Sequence, residues 1–195
     1  MVVSPPPLDS RLAAEIDSIG SVKYIVVPNS FHYLFAAEFS RRYSSACVVA
    51  APSLRERVLE LGFANELGPR PPADWATELD YVVLGPVRGL SEILFFHLPS
   101  QTLIITDLAF NMARYPRRLD RLFWRLSGIP GRFGPGRTAR SLFLKDREAA
   151  CRCISRASEW PLRRIVVAHG DAIEHDAVHE FRRAFSDYLT ESPAA

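Results

Sequence analysis

Leu79 to Asp107 reads LDYVVLGPVRGLSEILFFHLPSQTLIITD, and this stretch decides how the chain folds. It holds three apolar, strand-like runs in close succession: Leu79–Leu84, Glu92–His97 and Thr102–Thr106. The last two are joined by Leu98-Pro99-Ser100-Gln101, which has the length and residue types of a hairpin turn. Outward from this run the pattern changes to strands alternating with helices. Upstream, Val22–Val27 (VKYIVV) is a β-branched run stopped by Pro28, and Ala46–Ala50 (ACVVA) is a second; both read as buried strands. A helix-like segment, His32–Tyr43, lies between them. Asp9 caps a short helix with Leu12, Ala13 and Ile16 on one face and Gly20 at its end. Pro52 opens a helix over Leu54–Leu61, closed by Gly62. Gly68–Pro72 reads as a surface loop.

Downstream, Asp107 to about Leu126 has helical character, kinked or divided at Pro116. Ser127–Gly136 is a Gly/Pro loop, and Asp146 caps a helix reaching about Trp160. Arg164–Ala168 (RIVVA) is another short buried strand. Ile173, Ala177, Phe181, Ala184, Phe185 and Tyr188 have helical spacing and predict a last helix over Asp171–Leu189. Alternation combined with consecutive strands predicts an α/β layered fold with mixed sheets. At 195 residues the chain is expected to form a single domain, 1–195.

Composition narrows the function classes. Nearly half the residues are hydrophobic, and 24 basic residues against 22 acidic leave a net charge of +2. That balance gives no global reason to expect nucleic acid or an acidic membrane as partner. Cys47, Cys151 and Cys153 are too few for a disulfide framework, and Cys-x-Cys lacks the second pair of a structural zinc site. The opening residues have no signal-peptide pattern, and the apolar runs are too short to span a bilayer. The expectation is a soluble, cytoplasmic protein. There is no Gly-x-Ser-x-Gly, P-loop or dinucleotide fingerprint.

Three of the buried strands stop at residues able to bind a metal or handle a proton. The first ends Val27-Pro28-Asn29-Ser30-Phe31-His32, the central one Ile105-Thr106-Asp107, and the late one Val167-Ala168-His169-Gly170-Asp171. In open α/β sheets, sites gather beyond the carboxyl ends of strands. Two imidazoles and a carboxylate can hold a divalent ion and leave positions open for water and substrate. Each residue also has a structural reading. Asp107 and Asp171 can cap helices, His32 can pack beside a helix, and His169 can bond a backbone carbonyl. The recurrence at three strand ends is what raises the functional reading.

The segments VKYIVVPNSFHYLF, SEILFFHLPSQTLIITDL and RIVVAHGD, in this order, resemble an uncharacterised family of unknown function within the metallo-β-lactamase-like superfamily. The resemblance spans about Ser4 to Leu189. It implies a metallo-β-lactamase-like αββα sandwich with a metal cleft along one edge. It also marks departures. The superfamily's His-x-His-x-Asp-His run is reduced to Asn29 and His32, and the ligand place of His32 stays open. No histidine occurs in Gly85–Ser91, where the middle one belongs; Glu92 and His97 are the nearest polar candidates. Asp107 is similar to the bridging aspartate and His169 to the late histidine. The resemblance therefore implies one divalent ion (zinc, iron or manganese) on His32, Asp107 and His169, or none, rather than a two-metal cluster. Only Val2-Val3-Ser4 precedes the first helix as a strand, so the N-terminal sheet is expected to be shortened, with pairing to another subunit as one way to cover its edge.

Two functions follow as alternatives. One is a metal-dependent hydrolase of a small-molecule substrate with a mononuclear site, in which Asp171 or Asn29 orients the attacking water. The other is a non-catalytic binding or assembly module that has lost the metal cluster. The Arg-rich segment Arg114–Arg147 carries aromatics, which allows RNA binding, a lid over the strand-end site or a solvated helix face; no RNA-binding motif accompanies it. His175 and His179 are four apart but set about 200° from the core positions Ile173 and Ala177, which points them to solvent.

Overall fold

Alternation of side chains along each strand builds the layers. The computed structural model describes residues 1–52, 54, 65–68, 71–75, 77–112, 128–129 and 131–189. Among them, strands β1 (Val2–Val3), β2 (Tyr24–Val27), β3 (Cys47–Ala50) and β4 (Asn65–Glu66) form one sheet in the order β1-β2-β3-β4, parallel throughout. A second sheet holds β5 (Leu79–Val87), β6 (Leu90–His97), β7 (Thr102–Ile105) and β8 (Arg164–Val167) in sequence order. Its first two pairings are antiparallel and the last is parallel. The hairpin at residues 98–101 thus joins β6 to β7, and the sheet is mixed, as the run of consecutive strands predicts.

Val26 and Val49 face Tyr81, Ile93 and Phe95 across the gap between the sheets. The alternate residues Ile25, Val27, Val48 and Ala50 pack outward, against helices α1 (Ser10–Ile19) and α2 (Ala36–Arg42). Leu94, Phe96, Leu103 and Ile105 point outward from the second sheet. They meet α4 (Arg147–Ala157) and α5 (Ala177–Ala184), with α3 (Arg137–Leu142) beside them. The result is four layers, helix, sheet, sheet, helix. The central strands are covered on both faces, which is why they read as continuous apolar runs; β8, expected to be buried, buries only one face, with Arg164 and Val166 exposed. Asp9 accepts from Leu12 N at 2.7 Å and Asp146 from Ala149 N at 3.0 Å, so both expected caps form.

Three helix expectations are corrected. His32 lies in a loop, and the helix after it covers only Ala36–Arg42. Residues 107–112 form no helix: Phe110 and Asn111 make isolated β-bridges, and Asp107 caps nothing. The predicted last helix is cut to Ala177–Ala184, followed by a 3₁₀ turn at Ser186–Tyr188. Ile173 is buried through a two-bond bridge with Ile165 on β8, not through a helical face, and Asp176 sits in the left-handed region just before α5. Asp171 therefore starts no helix. The expected helix over Leu54–Leu61 and the helical stretch from 113 to 126 lie outside the described residues. The N-terminal strand is short, as expected: β1 contributes two residues to its sheet. Among the described residues, no helix is long and apolar enough to cross a membrane.

Candidate metal centre

The three polar strand ends meet. Ligand atoms of His32, Asp107 and His169 all lie within 4.8 Å of one another. His32 follows β2, Asp107 follows β7 and His169 follows β8, so both sheets contribute. Nε2 of His32 lies 3.1 Å from Oδ2 of Asp107, and Nε2 of His169 lies 3.2 Å from Oδ1. The two imidazole centroids are 5.4 Å apart. His32 and Asp107 are mostly enclosed, whereas the His169 side chain is 40% exposed and forms the accessible rim.

Asn29 sets the position of His32. Its Oδ1 accepts from Phe31 N at 2.8 Å and His32 N at 3.1 Å, a local side-chain turn that folds the loop back over the strand end. Its Nδ2 donates to Glu92 Oε2, to Thr106 Oγ1 at 3.0 Å and to Asp107 Oδ2 at 3.0 Å. Asn29 is fully buried with both ends of its amide engaged. In this arrangement its amide positions Asp107 and His32, the residues it was expected to accompany by orienting a water. Asp171 is exposed and does not line the cleft beside the three ligands; its backbone N–H donates to Asn111 O at 3.0 Å.

Glu92 is the residue whose role the sequence reading missed. It was singled out only as a polar group near a missing histidine. It is fully buried in β6, and Oε1 accepts from Thr106 N at 3.0 Å, Asp107 N at 3.1 Å and the Thr106 hydroxyl. It thereby clamps the backbone that carries Asp107. Asn29 and Glu92 also form a β-bridge, and Ile93 N donates to Pro28 O at 3.2 Å, so the two sheets are stitched together at the base of the site. A glutamate alone inside SEILFFH was the available signal, because an unpaired buried charge is rarely tolerated. His97, the other polar candidate, is at the far end of β6 and bonds Ser100 at 2.7 Å.

Ser4 was not singled out either. Its hydroxyl bonds Nδ1 of His32, the ring nitrogen turned away from Asp107. Ser4 has φ +55°, a left-handed conformation, and its N–H donates to Val26 O at 2.9 Å. His169 is held by packing and backbone. Phe110 stacks on its ring at 5.4 Å and 18°, and its carbonyl accepts from Asn111 N at 3.1 Å. Gly170, at φ +116°, lets that strand pass: a Cβ there would lie 2.1 Å from Asn111 O.

The electrostatics follow from this packing. Burial pushes the Asp107 carboxyl up, but hydrogen bonds and charge from His169 and His32 outweigh it and leave it well below the usual carboxylate range. Burial works against a charged His32, yet the bond to Asp107 prevails and raises its pKa. Burial pushes Glu92 up to about 7 against the pull of Thr106 and Asn29, and the Asp107 charge adds to the push.

The donor set suits a metal ion. An ion bound at about 2.1 Å in tetrahedral geometry needs its ligand atoms about 3.4 Å apart. The two imidazole-to-carboxylate separations, 3.1 and 3.2 Å, run to different oxygens of Asp107, and one ligand atom from each residue lies within 4.8 Å of the others, so an ion would draw the three donors slightly inward. Two imidazoles and one carboxylate serve zinc in hydrolytic sites and Fe(II) in facial triads. Of the other groups considered, His175 and His179 are both exposed, Cys153 is buried and Cys151 half-buried. Residues 114–127, with their arginine and aromatic side chains, lie outside the described residues; Phe133 and Phe143 are core residues.

Residues 6–122 match the family described as a domain of unknown function, DUF4336. No curated protein matches the sequence. Among solved structures, the metal-soaked Flv1 flavodiiron core from Synechocystis sp. PCC6803 is similar, with a TM-score of 0.62 at 12% identity, covering 98% of this chain and 50% of that one. The DIM-1 metallo-β-lactamase gives 0.60 at 14% identity, covering 95% and 80%. A metallo-β-lactamase from Pontibacter korlensis gives 0.59 at 11% identity, covering 95% and 80%. The chain spans about half the length of the Synechocystis flavodiiron core. At these identities the likeness shows the fold alone, and that fold is the metallo-β-lactamase sandwich.

Proposed function

We propose, from the premise that this chain belongs to the DUF4336 family and has the metallo-β-lactamase fold, that it is a metal-dependent hydrolase with one divalent ion on His32, Asp107 and His169. The observation that carries this reading is the meeting of two imidazole nitrogens and a carboxylate, from three distant segments, beside an open cleft. The flavodiiron and β-lactamase relatives hold different chemistries on this fold, so the choice rests on the donor set and not on the likeness. Three protein ligands leave positions for water and substrate.

When bound, the ion supplies Lewis acidity: it lowers the pKa of a coordinated water toward neutrality and polarises a carbonyl. The chain's own residues prepare that site. Glu92 and Asn29 fix the Asp107 carboxylate by backbone and side-chain bonds. Ser4 occupies Nδ1 of His32, which directs Nε2 toward the ligand position. Phe110 covers one face of His169 and fixes the plane of its ring.

A second reading, a non-catalytic assembly module, is favoured by one observation: Asp107 is already satisfied by two imidazoles and an amide without any ion. Metal analysis of tag-free protein separates the two. The hydrolase reading expects about one zinc, iron or manganese ion per chain, lost in His32→Ala and His169→Ala. Equal metal content in those variants refutes the ligand assignment. Metal-free, correctly folded protein favours the second reading.

A further inference from the structure

Phe95 on β6, Ile104 on β7 and Val166 on β8 are in register across the second sheet, on the face turned toward the first. Along this row exposure rises: Phe95 is fully buried, Ile104 is half-buried, and Val166 is 37% exposed. The first sheet ends at the two-residue β1 and so does not reach over β8. The uncovered end of the row becomes one wall of a cleft of about 550 Å³. Val3 and Pro6 form its opposite side, and Phe31 and Leu34, 48% and 67% exposed, stand at its mouth. His32, Asp107 and His169 sit in the same cleft.

Its chemistry is one-sided. Among the described residues lining it, the ionisable groups are those three ligands, and no arginine or lysine is present. The nearest fixed negative charges are Asp107 and, beneath it, Glu92. An anionic group on the apolar wall, away from the three donors, would lose its hydration with no arginine or lysine among the described lining residues to replace it, which is costly. An uncharged apolar group would gain by covering Phe31, Leu34 and Val166. The volume is that of a small-molecule site. A further strand is a poor occupant of the β8 edge, because Ile165 and Ile173 already exchange both backbone bonds there.

We propose that this cleft binds the uncharged, apolar part of the substrate. The substrate class is a neutral ester, thioester or amide of an aliphatic or aromatic group, its carbonyl toward the three ligands. This rests on the hydrolase reading for the reacting end, but the binding of the apolar end is measured separately. The probe is N-phenyl-1-naphthylamine, a neutral dye that fluoresces in apolar sites. The unmodified protein is expected to bind it, and Leu34→Asp and Val166→Asp to weaken binding at least tenfold with unchanged metal content and melting temperature. Both positions are exposed, so the fold tolerates the charge. On p-nitrophenyl butyrate the same variants raise KM and spare kcat, and the anionic p-nitrophenyl hemisuccinate is turned over at least tenfold less efficiently by the unmodified enzyme. Dye binding that is absent, or equal in all three proteins, overturns the proposal. So does sedimentation showing a dimer that the two variants dissociate, since a second copy then covers the face. Dye binding lost in the variants, in a protein that holds no metal and hydrolyses neither ester, supports the apolar cleft and refutes the hydrolase reading alone.

Discussion

Replacing Glu92 by alanine and by glutamine should give opposite results, and the difference depends on pH. Glu92→Ala removes the acceptor for Thr106 N–H and one Asn29 N–H, both fully buried, and for the part-buried Asp107 N–H. Each orphaned donor costs about 1–3 kcal/mol. The two backbone donors alone imply a loss of about 2–6 kcal/mol, a large share of a domain's total stability. Glu92→Gln keeps an oxygen for those backbone donors and matches the shape of the protonated acid. Because the Glu92 carboxyl is pushed up from 4.5 to about 7, the folded metal-free chain holds a proton there that the unfolded chain has released. Its stability therefore falls as pH rises across that window, by about 3 kcal/mol. His32, with its raised pKa, loses stability in the same direction as pH climbs past its ordinary value, so glutamine is the control that isolates Glu92. Urea unfolding of chelator-treated protein at pH 5 and pH 8 measures all of this. The expectation is that glutamine equals the unmodified chain at pH 5 and exceeds it at pH 8, while alanine is weaker at pH 5 and its deficit shrinks by about 3 kcal/mol at pH 8, where the parent has lost the proton. A penalty for alanine under about 1 kcal/mol at pH 5, or the same pH slope with and without the acid, would refute the clamp.

Ser4→Gly and Ser4→Ala both delete the hydroxyl on His32, but only glycine relieves the left-handed backbone. Glycine should therefore be more stable than alanine by about 1 kcal/mol, and both should lose roughly 10- to 100-fold in zinc affinity by calorimetric titration. Unchanged affinity in the glycine variant would mean that Ser4 does not act through His32. Gly170→Ala drives a methyl into the Asn111 carbonyl at an unfavourable φ, and should cost more than about 3 kcal/mol in denaturant unfolding while shifting the His169 ring signals in an NMR spectrum. A variant as stable as the parent, with those signals in place, would show that the two strands have slack.

VKYIVV and ACVVA were legible because their residues are buried on both faces, and a short β-branched run leaves few alternatives; RIVVA was legible as a strand, but it buries only one face, with Arg164 and Val166 exposed. The hairpin and the helix caps at Asp9 and Asp146 were equally local. The end of the chain was misread because a buried Ile173 satisfies helical spacing and a β-bridge alike, and only the pairing with Ile165 distinguishes them. The convergence of His32, Asp107 and His169 was legible because each lies just beyond a recognisable strand. Their support was not legible. Asn29 looked like a residue facing the cleft, whereas it is buried through partners 63 to 78 positions away. Ser4 carries no local sign of a partner 28 residues on. Side chains that act through the fold leave little trace in their own neighbourhood.

The bridge between Asn29 and Glu92 does more than seat a carboxylate. It is a rivet through both sheets, and the cluster of two imidazoles and a carboxylate is built on its head. The front, middle and rear of the polypeptide must all have arrived before His32, Asp107 and His169 can face one another. Partly assembled forms consequently hold at most two of the three donors, and the full set exists only once assembly is complete.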